Sequence, residues 1–230
     1  MAFPVIFLFF RGAYDGKPAA AEVAAALPRE LAGVSFREGL RSPVYLRLLV
    51  ASLLFTFTIL GLVVHFVPIL TTGGIGKMQA AGIAALIGLS SLAGRLGTGM
   101  MLDRFPASLV GAGVFLLPVL GSLTLIVTGT SSGGAAVAAL LVGLTLGAEV
   151  DVIVYLTTRH FGLKSFGALY GGLLAALSIG TATGPLGASR IFDLTGGYTP
   201  FLWLTIGMMA ASSLLLATLP RPQEPTFHGH

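Results

Sequence analysis

Six long runs of apolar residues, each separated by a short polar turn, dominate the chain. They fall at about 46–70, 79–102, 107–128, 135–158, 166–189 and 199–219. Each has the length an α-helix needs to cross a hydrocarbon core of about 30 Å. The runs do not alternate in polarity, as membrane-spanning strands would. The breaks "TTGGIGK" (71–77), "TGTSSGG" (128–134) and "LTGGYTP" (194–200) are rich in turn-forming residues. Pro106 opens the third run and Pro200 the sixth, where a missing N–H costs no helical hydrogen bond. The pattern predicts an all-α membrane protein with a six-helix transmembrane bundle over 46–219. Residues 11–45 read as a cytoplasmic linker and 220–230 as a cytoplasmic tail. Within the linker, "SFRE" (35–38) has the form of a capping box. It predicts a short helix over 35–42, lying on the membrane surface.

Composition sharpens this picture. The chain is 55% hydrophobic and 10% charged, against about 25% charged for a soluble chain. It has no cysteine, which removes disulfides, thiolate metal sites and cysteine nucleophiles. The sequence pI of about 9.8 does not point to nucleic acid, because the basic residues are scattered over separate turns. With the N-terminal segment placed inside, eleven of the thirteen Lys and Arg residues fall on the cytoplasmic side. Only Lys77 and Arg190 fall outside. That bias predicts both termini in the cytoplasm of a multi-pass protein of the plasma or inner membrane.

Two segments repeat. "GRLGTGMMLD" (94–103) and "GPLGASRIFD" (184–193) share Gly, Leu, Gly and Asp at an offset of 90. The first ends a helix on the inside and the second on the outside, each in the middle of a three-helix set. This predicts two inverted three-helix repeats, an arrangement found in secondary transporters.

Ionisable residues inside spans are costly and mark function by default. Four lie well inside: His65, Arg95, Glu149 and Asp151. Helix rise places Arg95 about 6 Å and Glu149 about 4 Å to the cytoplasmic side of their spans' midpoints. The expectation is that Arg95 faces a central cavity and binds an anion, with Glu149 as its resting partner. An arginine fork suits a carboxylate because it donates two parallel hydrogen bonds. Glu149 is also a candidate carrier of a coupled proton. Asp151 is about 200° from Glu149 around the helix, on the stripe of Gly143 and Gly147. It is assigned with Asp103, Arg104 and Arg159 to a cytoplasmic gating network. His65, near the outer end of the first span, is a candidate for substrate or proton. Gly94, Gly99, Gly143, Gly147, Gly180 and Gly184 are expected to pack helices closely, with Gly167 and Gly171 as a further spaced pair. Pro185 is expected to kink the fifth span.

The ordered set of "VHFVPIL" (64–70), "GRLGTGMMLDRF" (94–105) and "GAEVDVIVYLTTRHFGLKSFGALYG" (147–171) carries a resemblance. Together with the GxxxDR element of Gly99 to Arg104, it resembles the C-terminal half of major facilitator superfamily transporters of the monocarboxylate or oxalate/formate type. The resemblance implies half of a twelve-helix fold. "MAFPVIFLFF" (1–10) is then the end of a preceding transmembrane helix, and a six-helix N-terminal half is a missing partner. It also implies a secondary transporter of a small organic anion, driven by a coupled proton or counter-anion. In such porters the arginine matching Arg95 is implicated in carboxylate binding. An acid that some carry one turn earlier is Ser91 here. A six-span scaffold or truncated subunit without transport of its own remains the alternative.

Enzyme motifs are lacking. "GGIGKM" fails as a phosphate loop, since Met78 follows Lys77 and Thr71 stands where the first Gly belongs. No HExxH, GxSxG or metal-spaced acid cluster occurs. The expectation is a transporter with no catalytic residue, metal or cofactor.

Overall fold

A computed structural model describes residues 33–128 and 131–220. The readings made for residues 1–32 and 221–230 lie outside the described residues. Among the described residues seven helices follow one another: α1 (Phe36–Arg41), α2 (Pro43–Thr72), α3 (Lys77–Leu102), α4 (Ala107–Val127), α5 (Ser132–Phe161), α6 (Phe166–Thr195) and α7 (Thr199–Ala217). The last six are long and apolar enough to cross a membrane. The fold class is therefore an all-α, six-span membrane architecture. Helices suit that solvent because every backbone group between the ends bonds within its own segment.

The helices outrun the apolar runs where polar caps extend them. Ser42 accepts from the Val44 amide at 3.2 Å to start α2, and Ser131 accepts from Gly134 at 3.3 Å to start α5. Gly196, in the left-handed region at φ 73°, ends α6. The capping box expected at 35–38 does not form. Ser35 has an extended N-cap backbone but makes no side-chain cap bond. Instead, α1 is held by its neighbours. Val34 N–H donates to Phe161 O at 3.0 Å, and Gly33 bridges Gly162. Gly39 rests against Leu169, where a side chain would collide.

The helices pair selectively. The main contacts are α3 on α5, α2 on α6, α4 on α7 and α5, and α2 on α7. Phe55 and Phe115, both fully buried, stack with ring centroids 4.3 Å apart. Some hydroxyls inside the bundle bond to carbonyls of other helices and so link them. Thr145 donates to Val114 O at 3.0 Å, Ser212 to Ala51 O at 2.9 Å and Ser213 to Ala112 O at 2.8 Å. Arg47 donates to Thr218 O at 2.7 Å, tying the start of α2 to the end of α7.

Candidate functional site

The site grows out of the α3–α5 seam. On α3 the inward row is Ile87, Ser90, Gly94 and Thr98, and on α5 it includes Gly143 and Gly147. A Cβ on Gly143 would strike Ser90 and the Ile87 carbonyl. One on Gly147 would strike the Ser91 carbonyl, and one on Gly94 the Leu144 carbonyl. The two backbones therefore touch, as small residues at a membrane helix interface allow.

One turn beyond each contact come Arg95 and Asp151. Arg95 Nε lies 3.5 Å from Asp151 Oδ2, with side chains 60% and 36% exposed. Counted from the helix midpoints, Arg95 is ~8 Å and Asp151 ~7 Å toward the same end, so the pair is level across two parallel helices. The contact is a loose one through Nε. Among the described residues nothing else bonds to Arg95, so the two terminal amino groups of its fork are open.

This corrects the expected pairing of Arg95 with Glu149. Asp151 lies on the same ridge as Gly143 and Gly147, and that ridge abuts α3. Glu149 points away from it. Glu149 is 6% exposed and has no hydrogen bond or ion pair among the described residues.

The expected gating residues are not joined in this structure. Asp103 forms the C-cap of α3, and it and Arg104 are exposed and form no ion pair among the described residues. Arg159 lies back on its own helix. It donates to Tyr155 Oη at 3.0 Å and sits 5.2 Å from that ring's centroid. A tyrosine one turn earlier is the nearer partner for a flexible arginine.

His65 is bonded through both ring nitrogens. Nε2 is 3.1 Å from Pro185 O, and Nδ1 is 2.9 Å from Tyr198 Oη. A carbonyl can only accept, so Nε2 carries the proton and Nδ1 accepts from the Tyr198 hydroxyl. The histidine thus fastens α2 to α6 and to the turn before α7. α6 runs through Pro185 as one helix from Phe166 to Thr195.

The remaining glycines divide. Gly180 and Gly184 pack without room for a Cβ against Thr56 and Phe57 of α2. Gly99, Gly167 and Gly171 meet nothing within 4 Å. Gly99 misses the seam because it lies 100° beyond Thr98 on α3. Among the described residues no group of three or more His, Asp or Glu side chains stands close enough to hold a metal.

The chain is similar to monocarboxylate transporter 12 of Homo sapiens, with 28% identity over 167 residues. The match covers 67% of this chain and 31% of the human protein. The chain thus spans under a third of that relative's length. No family model matches the chain.

Two tyrosines that hold predicted site residues were missed in the sequence. Tyr155 was legible, since it lies four residues before Arg159 on one helix face. Tyr198 was not, because its partner His65 comes from another helix.

Proposed function

We propose that this chain is the C-terminal six-helix half of a major facilitator-type secondary transporter, which moves a small monocarboxylate-like anion by alternating access. The observation that carries the reading is the Arg95–Asp151 pair. A permanent cation deep in a span is tolerated only beside an anion or a watery cavity. Arg95 is held there by a single contact with its fork unused, which is the arrangement a carboxylate can enter bidentately. Asp151 is the resting counter-ion that the substrate displaces. Glu149, the one buried acid among the described residues and without a cationic partner, is the carrier of a coupled proton.

The helix pairing supports two inverted repeats. Exchanging α2, α3 and α4 for α5, α6 and α7 turns the α3–α5 contact into α6–α2, and α4–α5 into α7–α2. All four contacts are made. Exposed Leu89, Leu92, Leu96 and Met100 form a stripe on α3, which suits a second six-helix half. Asp103, Arg104 and Arg159 form the cytoplasmic gate by exchanging partners between states. The charge bias along the sequence supports a cytoplasmic location for both termini.

The test is uptake of labelled lactate by cells expressing the chain together with the N-terminal half of a monocarboxylate porter. Arg95→Lys keeps the charge but loses the fork, and uptake should fall at least about tenfold, the equivalent of 1.4 kcal/mol. Unchanged uptake at equal protein level would remove Arg95 from substrate binding.

A further inference from the structure

We propose that the cleft between α1 and the end of α5 binds a phosphate-bearing anion, and that its occupant is the headgroup of an acidic phospholipid. The cleft has a volume of about 610 Å³ and lies at the end of the bundle where α2 begins and α5 finishes. Arg37 and Arg41, one turn apart on α1, both line it, with Ser35 and Ser42 beside them. Neither arginine makes an ion pair or hydrogen bond among the described residues. Glu38 also lines the cleft, but two guanidinium groups against one carboxylate leave it net positive. His160 completes the lining. Its Nε2 is inaccessible to solvent and has no hydrogen-bond partner, although a buried polar atom normally has one. Two guanidinium forks are the donors that phosphate oxygens require.

The cleft is built rather than incidental. The Val34–Phe161 backbone bond and the Gly33–Gly162 bridge hold the residues that lead into α1. Gly39 seats α1 on Leu169. The helix that carries the two arginines is therefore fixed in place.

The apolar neighbours identify the source of the phosphate. Phe36 and Leu40, also one turn apart on α1, are 46% and 49% exposed, and Leu46 at the start of α2 is 61% exposed. Cations at headgroup level beside exposed apolar side chains match an interfacial helix on an anionic leaflet. A soluble phosphate has no use for the apolar face.

The test uses the full chain in a neutral detergent, with native mass spectrometry in an equimolar mixture of phosphatidylglycerol and phosphatidylcholine. The wild-type chain should retain phosphatidylglycerol in preference. Each Arg→Gln change at 37 and 41 should weaken retention about fivefold, from about 1 kcal/mol per basic residue at the surface. Arg104→Gln removes a cation at the same end and should leave retention unchanged. If R37Q/R41Q does not purify folded, R41Q alone supplies the comparison. Equal retention by wild type and the arginine variants overturns the proposal, as does an equal loss in R104Q. Inorganic phosphate is the second probe. If it binds the wild type but not R41Q, and phosphatidylglycerol shows no preference over phosphatidylcholine, the lipid is overturned as occupant.

Discussion

Arg95 and Asp151 meet at 3.5 Å one turn past the point where Gly147 brings α5 onto the α3 backbone. The small residue sets the distance and the charged pair uses it. If Asp151 is the resting counter-ion, it competes with substrate. Asp151→Asn should then lower the apparent KM for lactate by about tenfold, which corresponds to 1.4 kcal/mol, and should slow turnover. Initial-rate uptake measures both. Glu149→Gln should instead leave KM unchanged and abolish stimulation by an inward proton gradient. An E149Q protein that still responds to the gradient would relieve Glu149 of its role.

The seam itself is testable through stability. Gly147→Ala drives a Cβ into the Ser91 carbonyl, backbone against backbone, and overpacking of this kind costs about 1–3 kcal/mol. Gly99→Ala meets open space and should be neutral, or gain up to about 1 kcal/mol from helix propensity. Thermal unfolding of the two variants in one detergent gives the order. Similar melting temperatures would mean that the close approach is not stabilising.

The six spans were legible because hydropathy alone sets where a helix crosses a bilayer. Their ends were less so: the fifth span was read as ending at 189, and its helix α6 runs to Thr195, since capping rather than apolarity stops it. Asp151 was placed on the right ridge, with Gly143 and Gly147. The partner of Arg95 was misread because depth along a helix says nothing about rotation, and Glu149 at nearly the same depth faces elsewhere. The His65 bonds were illegible, because Tyr198 sits in a turn whose position depends on three helices.

The His65 clasp predicts a pH effect at Tyr198, which lies outside the spans. Burial, and secondly the Asp193 carboxylate, raise the Tyr198 hydroxyl above its ordinary value. The folded chain therefore keeps this proton where the unfolded chain has lost it. That contribution is complete below pH ~10, the ordinary tyrosine value, and is lost as pH rises beyond it. Tyr198→Phe should remove the alkaline loss, and Asp193→Asn should reduce it. At neutral pH, Tyr198→Phe should cost about 1 kcal/mol, since it leaves Nδ1 unpaired. Melting curves between pH 7 and 11 test all three.

Orientation and gating can be read by thiol labelling, because the chain contains no cysteine. With an impermeant maleimide on intact cells, Lys77→Cys should react and Arg104→Cys should react only after permeabilisation. The reverse result would invert the topology. In the co-expressed protein, Asp103→Arg should shift the labelling rate of a cysteine at Ser91. An equal rate would count against the gate.

The first and last spans are joined by polar rungs along their length: Arg47 to the Thr218 carbonyl, Ser212 to the Ala51 carbonyl, and Thr58 to Met209 Sδ at 3.0 Å. Peeling one from the other would strand the buried Ser212 hydroxyl in hydrocarbon, where nothing replaces its partner. The two covalently distant ends of the bundle are thus fastened directly to each other, so neither α2 nor α7 is free to fray alone.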